Sequence, residues 1–215
     1  MKLLISVLSV PFIFFARITE WLNVWEIRAD ISRCLEMVDS LGQKVPSSFL
    51  VSLIAAEDHR NALHQGVDPI AMVRAAYVRI RCGKIQGAST IEQQFVRVVS
   101  GRYEKKIGRK VREQILAISV SRRTSKLKIA SAYLSIAFYG SKCIGAKALR
   151  DRCGNHLACA EQNDIWGMIA RLKYPEPLKP SSNWERKLNR RIEHISYCER
   201  RSANKRSGSD QAKPA

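Results

Sequence analysis

Ala55-Ala56-Glu57-Asp58-His59-Arg60-Asn61-Ala62-Leu63-His64-Gln65-Gly66-Val67-Asp68 opens the segment on which the fold and its chemistry turn. It continues through Gly87-Ala88-Ser89-Thr90-Ile91-Glu92-Gln93-Gln94-Phe95 and closes on Arg109-Lys110-Val111-Arg112-Glu113. Two acids, Glu57 and Glu113, bracket a stretch dense in hydroxyls, amides and cations. Just upstream, Val45-Pro46-Ser47-Ser48 signals a helix start, and Phe49, Leu50, Leu53 and Ile54 share one face of that helix. At 100° per residue Glu57 falls inside the apolar arc while Asp58 points elsewhere. A carboxylate there is poorly solvated and lies at the helix's negative end, so it holds a proton more readily, as a general base near neutral pH must. The alternative is that Glu57 marks where the helix surfaces, or pairs with an arginine.

Working outward, His64–Pro69 reads as a turn and 71–81 as a helix. A loop over 82–87 delivers Ser89 or Thr90 as the cap of a helix carrying Gln93, Gln94 and Arg97. Free N–H groups at a helix start, with hydroxyls and a cation close by, form a cradle for an oxyanion or phosphate. The plainer reading is a polar cap alone. The helix over 109–121 divides into a stripe of Val111, Ile115 and Ile118 and a roughly opposite arc of Arg109, Lys110 and Glu113. Its Arg109–Glu113 pair at i,i+4 equally suits a surface salt bridge.

Toward the C-terminus, helices are expected over 125–139, 164–172 and 184–201, the last basic and preceded by a Pro-rich stop at 174–180. Residues 202–215 have a disordered composition. Toward the N-terminus, Leu3 to Ala16 is apolar between Lys2 and Arg17. As a helix that run reaches only ~21 Å, short of a ~30 Å hydrocarbon core. Without a small-residue cleavage pattern it reads as an uncleaved anchor or interfacial segment, the alternative being a buried core helix. Residues 17–45 look helical and amphipathic, with Trp21 and Trp25 placed for a membrane–water interface. The boundaries that follow are 1–25 for the anchor, 26–199 for one mainly α-helical domain and 200–215 for a basic disordered tail.

The composition is globular, and the net charge of +18 over 215 residues directs the surface toward anionic partners. Nucleic acid is not expected among them, because no recognition motif accompanies the charge. The six cysteines form no regular framework. Cys143, Cys153, His156 and Cys159 crowd together too closely for a usual structural zinc site, leaving free thiols or a Cys153–Cys159 disulfide.

These motifs resemble the family 51 peptidoglycan glycosyltransferases, the monofunctional enzymes and the glycosyltransferase domains of class A penicillin-binding proteins. Glu57-Asp58, His64, Gly66 and Asp68 stand where the family has E-D-x-x-F-x-x-H-x-G-x-D, and Arg74-Ala75 where it has R-A. Gly87 to Phe95 matches G-G-S-T-I-T-Q-Q-L, with Arg97 where a lysine is usual. Arg109-Lys110-Val111-Arg112-Glu113 matches R-K-x-x-E, and Tyr133 to Gly140 matches Y-L-N-x-x-Y-F-G. The likeness spans about residues 45–195. Departures are Asn61 for Phe, Glu92 for the second Thr, Ser131 and Ser135 for Glu and Asn, and Asp164 for Glu.

The resemblance implies a lysozyme-like helical glycosyltransferase domain without a transpeptidase domain, on the periplasmic face of the bacterial inner membrane. It implies polymerisation of lipid II onto a nascent glycan strand, with loss of undecaprenyl pyrophosphate and inversion at the anomeric carbon. Glu57 and Glu113 would be catalytic. Asp58, His64, Arg74, Ser89, Thr90, Gln93, Gln94, Arg97, Arg109 and Lys110 would bind substrate. Glu113 would position that region or hold Mg²⁺ or Mn²⁺. Other cell-wall synthesis proteins are expected partners. A degenerate member that binds lipid-linked glycan or scaffolds wall synthesis without catalysis is the alternative.

Overall fold

Helix formers punctuated by caps and turn residues divide the chain into ten α-helices and a two-stranded hairpin over the described residues, 1–104 and 106–210 of a computed structural model. In order these are α1 (Lys2–Trp21), α2 (Ile27–Leu41), α3 (Ser47–Glu57), α4 (Pro69–Cys82), α5 (Ile91–Ser100) and α6 (Ile107–Ser121). Then come α7 (Lys126–Ile136), β1 (Phe138–Gly140), β2 (Cys143–Ile144), α8 (Gly145–Cys153), α9 (Gln162–Lys173) and α10 (Ser182–Asp210). The expected mainly helical class is observed. The chain folds as two compact units, one from residues 1–43 and 60–133, the other from residues 44–59 and 134 onward.

In the first unit α6 is the centre, packed against α1, α2 and α5. Ile115, Leu116, Ala117, Ile118 and Val120 are all buried, so α6 is covered on more than one side. Asp30 of α2 meets Arg112 of α6 at 2.5 Å. The turn before α4 is pinned by Gly66, whose φ of +83° and closeness to the backbone of Ala117 leave no room for a Cβ. Asp68 then caps α4 by accepting from Ala71 N, with Pro69 in the first turn and Arg60 bound to its other oxygen.

α1 is longer than the apolar run expected to form it. It continues through Arg17-Ile18-Thr19-Glu20 to Trp21, 20 residues with a mean hydropathy of 1.8. That length reaches ~30 Å, enough by size and composition to cross a hydrocarbon core. Ile5, Ser9, Ala16 and Thr19 form a narrow buried stripe, yet only 22% of the apolar window is buried, which does not suit an enclosed core helix. Trp21 is exposed, as an interfacial tryptophan would be, and nothing is described of the Trp25 side chain. The continuous helix expected over 17–45 is broken instead. Asn23 and Glu26 adopt left-handed backbone conformations, and Arg28 donates back to the carbonyls of Glu20 and Trp21 at the end of α1.

In the second unit α3 packs against α9 and α10. Phe49 and Leu53 are fully buried there, and Glu199 of α10 accepts from Ser52 Oγ and Trp166 Nε1, each at 2.7 Å. The helix expected over 125–139 stops at Ile136. Beyond it Gly140 is pressed against the backbone of Glu176, and Glu176 N donates to Tyr139 O while Ser141 N donates to Glu176 O. Those extended-chain bonds, with β2 alongside, take the groups a continuing helix would have used. Helix α8 was not anticipated.

The tail expected from residue 200 is corrected over its first part, since α10 continues to Asp210. Its packed N-terminal half nucleates the helix, and extension then adds a hydrogen bond for each residue ordered. Residues 211–215 lie outside the described residues. All six cysteines are free, so Cys153 and Cys159 are not joined. Burial pushes the Cys34 thiol up to about 12 and the Cys153 thiol to about 11, which removes both as thiolate nucleophiles.

Candidate active site

In the first unit a buried carboxylate holds two guanidiniums. Glu113 is only 5% exposed. Its Oε1 accepts from Arg97 Nη2 at 2.7 Å, and its Oε2 accepts from Arg97 Nε at 3.0 Å and Arg109 Nη1 at 2.5 Å. Arg109 Nε also donates to the carbonyl of Glu104. The hydrogen bonds that Arg97 donates to Glu113 outweigh burial and raise Arg97 further above its ordinary value, so its charge is permanent. Glu113 was expected on an open arc, opposite the buried stripe. It is enclosed because α5 packs on α6 and brings Arg97 over that arc, so the Arg109–Glu113 pair is not a surface salt bridge.

The donor set around Glu113 also decides what it can hold. Three N–H groups from two permanent cations occupy its oxygens, and a divalent cation would have to displace them against their charge. Glu113 therefore does not fit as a Mg²⁺ or Mn²⁺ ligand in this arrangement. It orients cations. Lys110, exposed on the same helix, lines a cavity of about 280 Å³ together with Arg79, Gln86, Gln93 and Gln114. Ser89 and Gln94 are partly accessible, and Gln94 accepts from Tyr133 Oη at 2.7 Å. Arg74 is exposed on α4.

Other residues named from the sequence are turned inward. Thr90 caps α5 in a reciprocal capping box with Gln93, and its hydroxyl donates to Gly66 O at 2.7 Å. Thr90, Gln93 and His64 are each under 4% exposed, and Lys126 Nζ lies 3.3 Å from His64 Nδ1.

Two departures from the family pattern meet in this interior. Asn61 Nδ2 donates to Glu92 Oε1 at 3.2 Å, and Lys126 Nζ pairs with the same oxygen at 2.6 Å. Glu92 is fully buried and Lys126 largely so; Lys126 balances the carboxylate's charge at Oε1, while Oε2 is buried without a hydrogen-bond partner among the described residues. Glu92→Thr is therefore expected to destabilise the protein by about 2 kcal/mol in denaturant unfolding, although it restores the residue usual at that position. Adding Lys126→Met should recover most of the loss.

In the second unit Glu57 closes α3. Of the alternatives open for it, pairing with an arginine is the one observed. Arg191 of α10 donates through Nη2 to Glu57 Oε1 at 2.5 Å and to Ala56 O at 3.1 Å. The pair is largely buried, at 18% and 10% side-chain exposure. Asp58, also buried, follows as the α3 cap, its N–H bonded to Ile54 O. His194, next along α10, is held below the usual imidazole range by burial and by Arg191 and Lys173, so it adds no positive charge beside Glu57 at neutral pH. Sequence periodicity pointed to Glu57 but carried no signal for Arg191.

The same chain segment is matched by a family model. That model, described as Transglycosylase, covers residues 32–197. The chain belongs to this family. It is similar to penicillin-binding protein 1A of Aquifex aeolicus, at 35% identity over 150 residues, covering 69% of this chain and 21% of that protein. The counterpart in Vibrio cholerae is 36% identical over 152 residues, covering 69% and 18%. That of Rickettsia prowazekii is 36% identical over 156 residues, covering 68% and 19%. The transglycosylase chain thus spans about a fifth of the length of the curated relatives it matches.

Proposed function

We propose that this transglycosylase polymerises lipid II into peptidoglycan glycan strands. The observation that carries the reading is the Glu113 clamp, which fixes Arg97 and Arg109 side by side within a segment matched by the family. Pre-aimed cations are what a departing pyrophosphate requires, since its charge develops in the transition state and the protein need not reorganise. Lys110 adds a third, more accessible charge.

In the reaction, the acceptor's 4-hydroxyl oxygen attacks the anomeric carbon of the growing strand. The bond from that carbon to the undecaprenyl pyrophosphate oxygen breaks as the new glycosidic bond forms, inverting the centre. Glu57 takes the hydroxyl proton, and Arg191 holds its carboxylate in one orientation. Arg97, Arg109 and Lys110 take up the charge of the leaving group. Glu113 is a positioning residue in this scheme, and no covalent enzyme intermediate forms. In this reading Ser89, Gln94 and Arg74, which are at least partly accessible, contact substrate, whereas the buried Asp58, His64, Thr90 and Gln93 serve by holding their own segments of backbone.

The same reading gives α1 a purpose. Its exposed Leu4, Leu8, Phe14, Phe15 and Ile18 would enter the inner membrane and keep the cationic domain on the periplasmic surface where the lipid-linked substrate lies. Other wall-synthesis proteins are proposed partners. The reading is tested by giving the purified chain labelled lipid II in detergent and resolving products by size. Glycan chains with one undecaprenyl pyrophosphate released per disaccharide added are expected. Absence of polymer from cooperatively melting protein would overturn it and favour a binding role.

A further inference from the structure

At the C-terminal ends of α1 and α6 the first unit has an open cavity of about 530 Å³. Ile13, Ala16, Ile118 and the flank of Trp21 form its apolar wall. Arg17, Arg28, Arg122 and Arg123 form its cationic side. The one carboxylate in the lining, Glu20, is already engaged by Arg123 and by Ser119 Oγ. Arg28 is tied to the last carbonyls of α1. The side chains of Arg17 and Arg122 have no hydrogen-bond or ion-pair partner among the described residues.

The order of these residues along the two helices is informative. On α1, Ile13, Ala16, Arg17 and Glu20 follow one another at i, i+3, i+4 and i+7, a single stripe that changes from apolar to polar toward Trp21. On α6, Ile118 is followed at i+4 by Arg122, the same change in the same chain direction. A free phosphate would need only the arginines. An amphiphile with an anionic head needs both halves in this order, and Trp21, 76% exposed, marks the level where a headgroup would lie. Glu113 is nine residues, ~13 Å along α6, before Arg122, so the cavity is separate from the arginine clamp.

We propose that this cavity binds the phosphate head of an anionic glycerophospholipid, its acyl chain lying along Ile13, Ala16 and Ile118. Arg17 and Arg122 take the phosphate, and Arg28 and Arg123 close the site. The proposal rests on α1 entering the membrane. A bound anionic lipid would then set the depth at which the anchor sits.

The test uses the full chain. Flotation with phosphatidylcholine vesicles examines the anchor by itself, and failure to float would sink the membrane reading on which the site depends. Native mass spectrometry from nonionic detergent then compares added phosphatidylglycerol, phosphatidylcholine and inorganic phosphate. Wild type is expected to retain phosphatidylglycerol about tenfold better than phosphatidylcholine, and an Arg17→Gln/Arg122→Gln double variant to lose that preference. Lipid II polymerisation in detergent should stay within about twofold of wild type, because the clamp is untouched. Equal retention of the two lipids, or an unchanged preference in the double variant, would overturn the proposal. Displacement of phosphatidylglycerol by inorganic phosphate would also overturn it, in favour of a bare-phosphate site.

Discussion

Glu113→Gln is expected to lower both kcat and the thermal midpoint. The carboxylate is buried and accepts three N–H bonds from Arg97 and Arg109. A neutral amide keeps one acceptor oxygen and turns an NH₂ group toward a guanidinium, leaving two largely enclosed cations uncompensated. Breaking one side of such a pair costs about 3–5 kcal/mol when buried. Partial access of Arg97 at 29% brings the expected loss to about 2–3 kcal/mol. With both cations released from a common orientation, transition-state stabilisation should fall about 10²-fold. Initial rates measured well below the variant's melting transition separate the two effects. A variant that loses stability but retains kcat would make Glu113 a structural residue only.

Glu57→Gln is expected to have the larger effect on rate. General-base catalysis contributes about 10²–10⁴-fold, and Glu57 alone takes the acceptor proton in the proposed reaction. Glutamine preserves the shape and can still accept from Arg191, so the fold should survive with a loss of about 1–2 kcal/mol from the weakened pair. KM for lipid II should change little, because the lost interaction belongs to the transition state. Glu57→Asp retains the charge but draws it back by one methylene from both Arg191 and the acceptor hydroxyl. An intermediate rate is expected, since displacements near 1 Å cost on the order of 10²-fold.

Most helices were legible because they carry their own period. α4 and α5 announce themselves by a cap, α9 by a Pro-rich stop, and α3 and α6 by an apolar stripe, and their observed bounds lie within about two residues of those expected. The misreadings have a common cause in distant contacts. α7 ends early because Gly140 meets Glu176, and α10 runs on because its first half is packed on α3 and α9. Neither contact leaves a trace in local periodicity.

The candidate site shows the same division. Glu57, Arg109 and Glu113 could be named from spacing, including the i,i+4 relation within α6. Which distant residues they meet could not. Arg97 lies 16 residues from Glu113, Arg191 lies 134 from Glu57, and Lys126 lies 34 from Glu92. Each partner converts an acid that looked isolated, exposed or misplaced into part of a buried pair. Asn61 and Glu92, which stood out as departures when read singly, share a hydrogen bond, and Lys126 beside them balances the carboxylate's charge.

The central claim is that Glu57 is the base of lipid II polymerisation, and the initial rate of glycan formation by wild type and Glu57→Gln tests it most directly. Both proteins would be assayed at one temperature where each melts cooperatively above it. A long-chain product from wild type and a rate at least about 10²-fold lower in Glu57→Gln is the predicted result. A variant within about threefold of wild type would contradict it, since that is well below the general-base contribution.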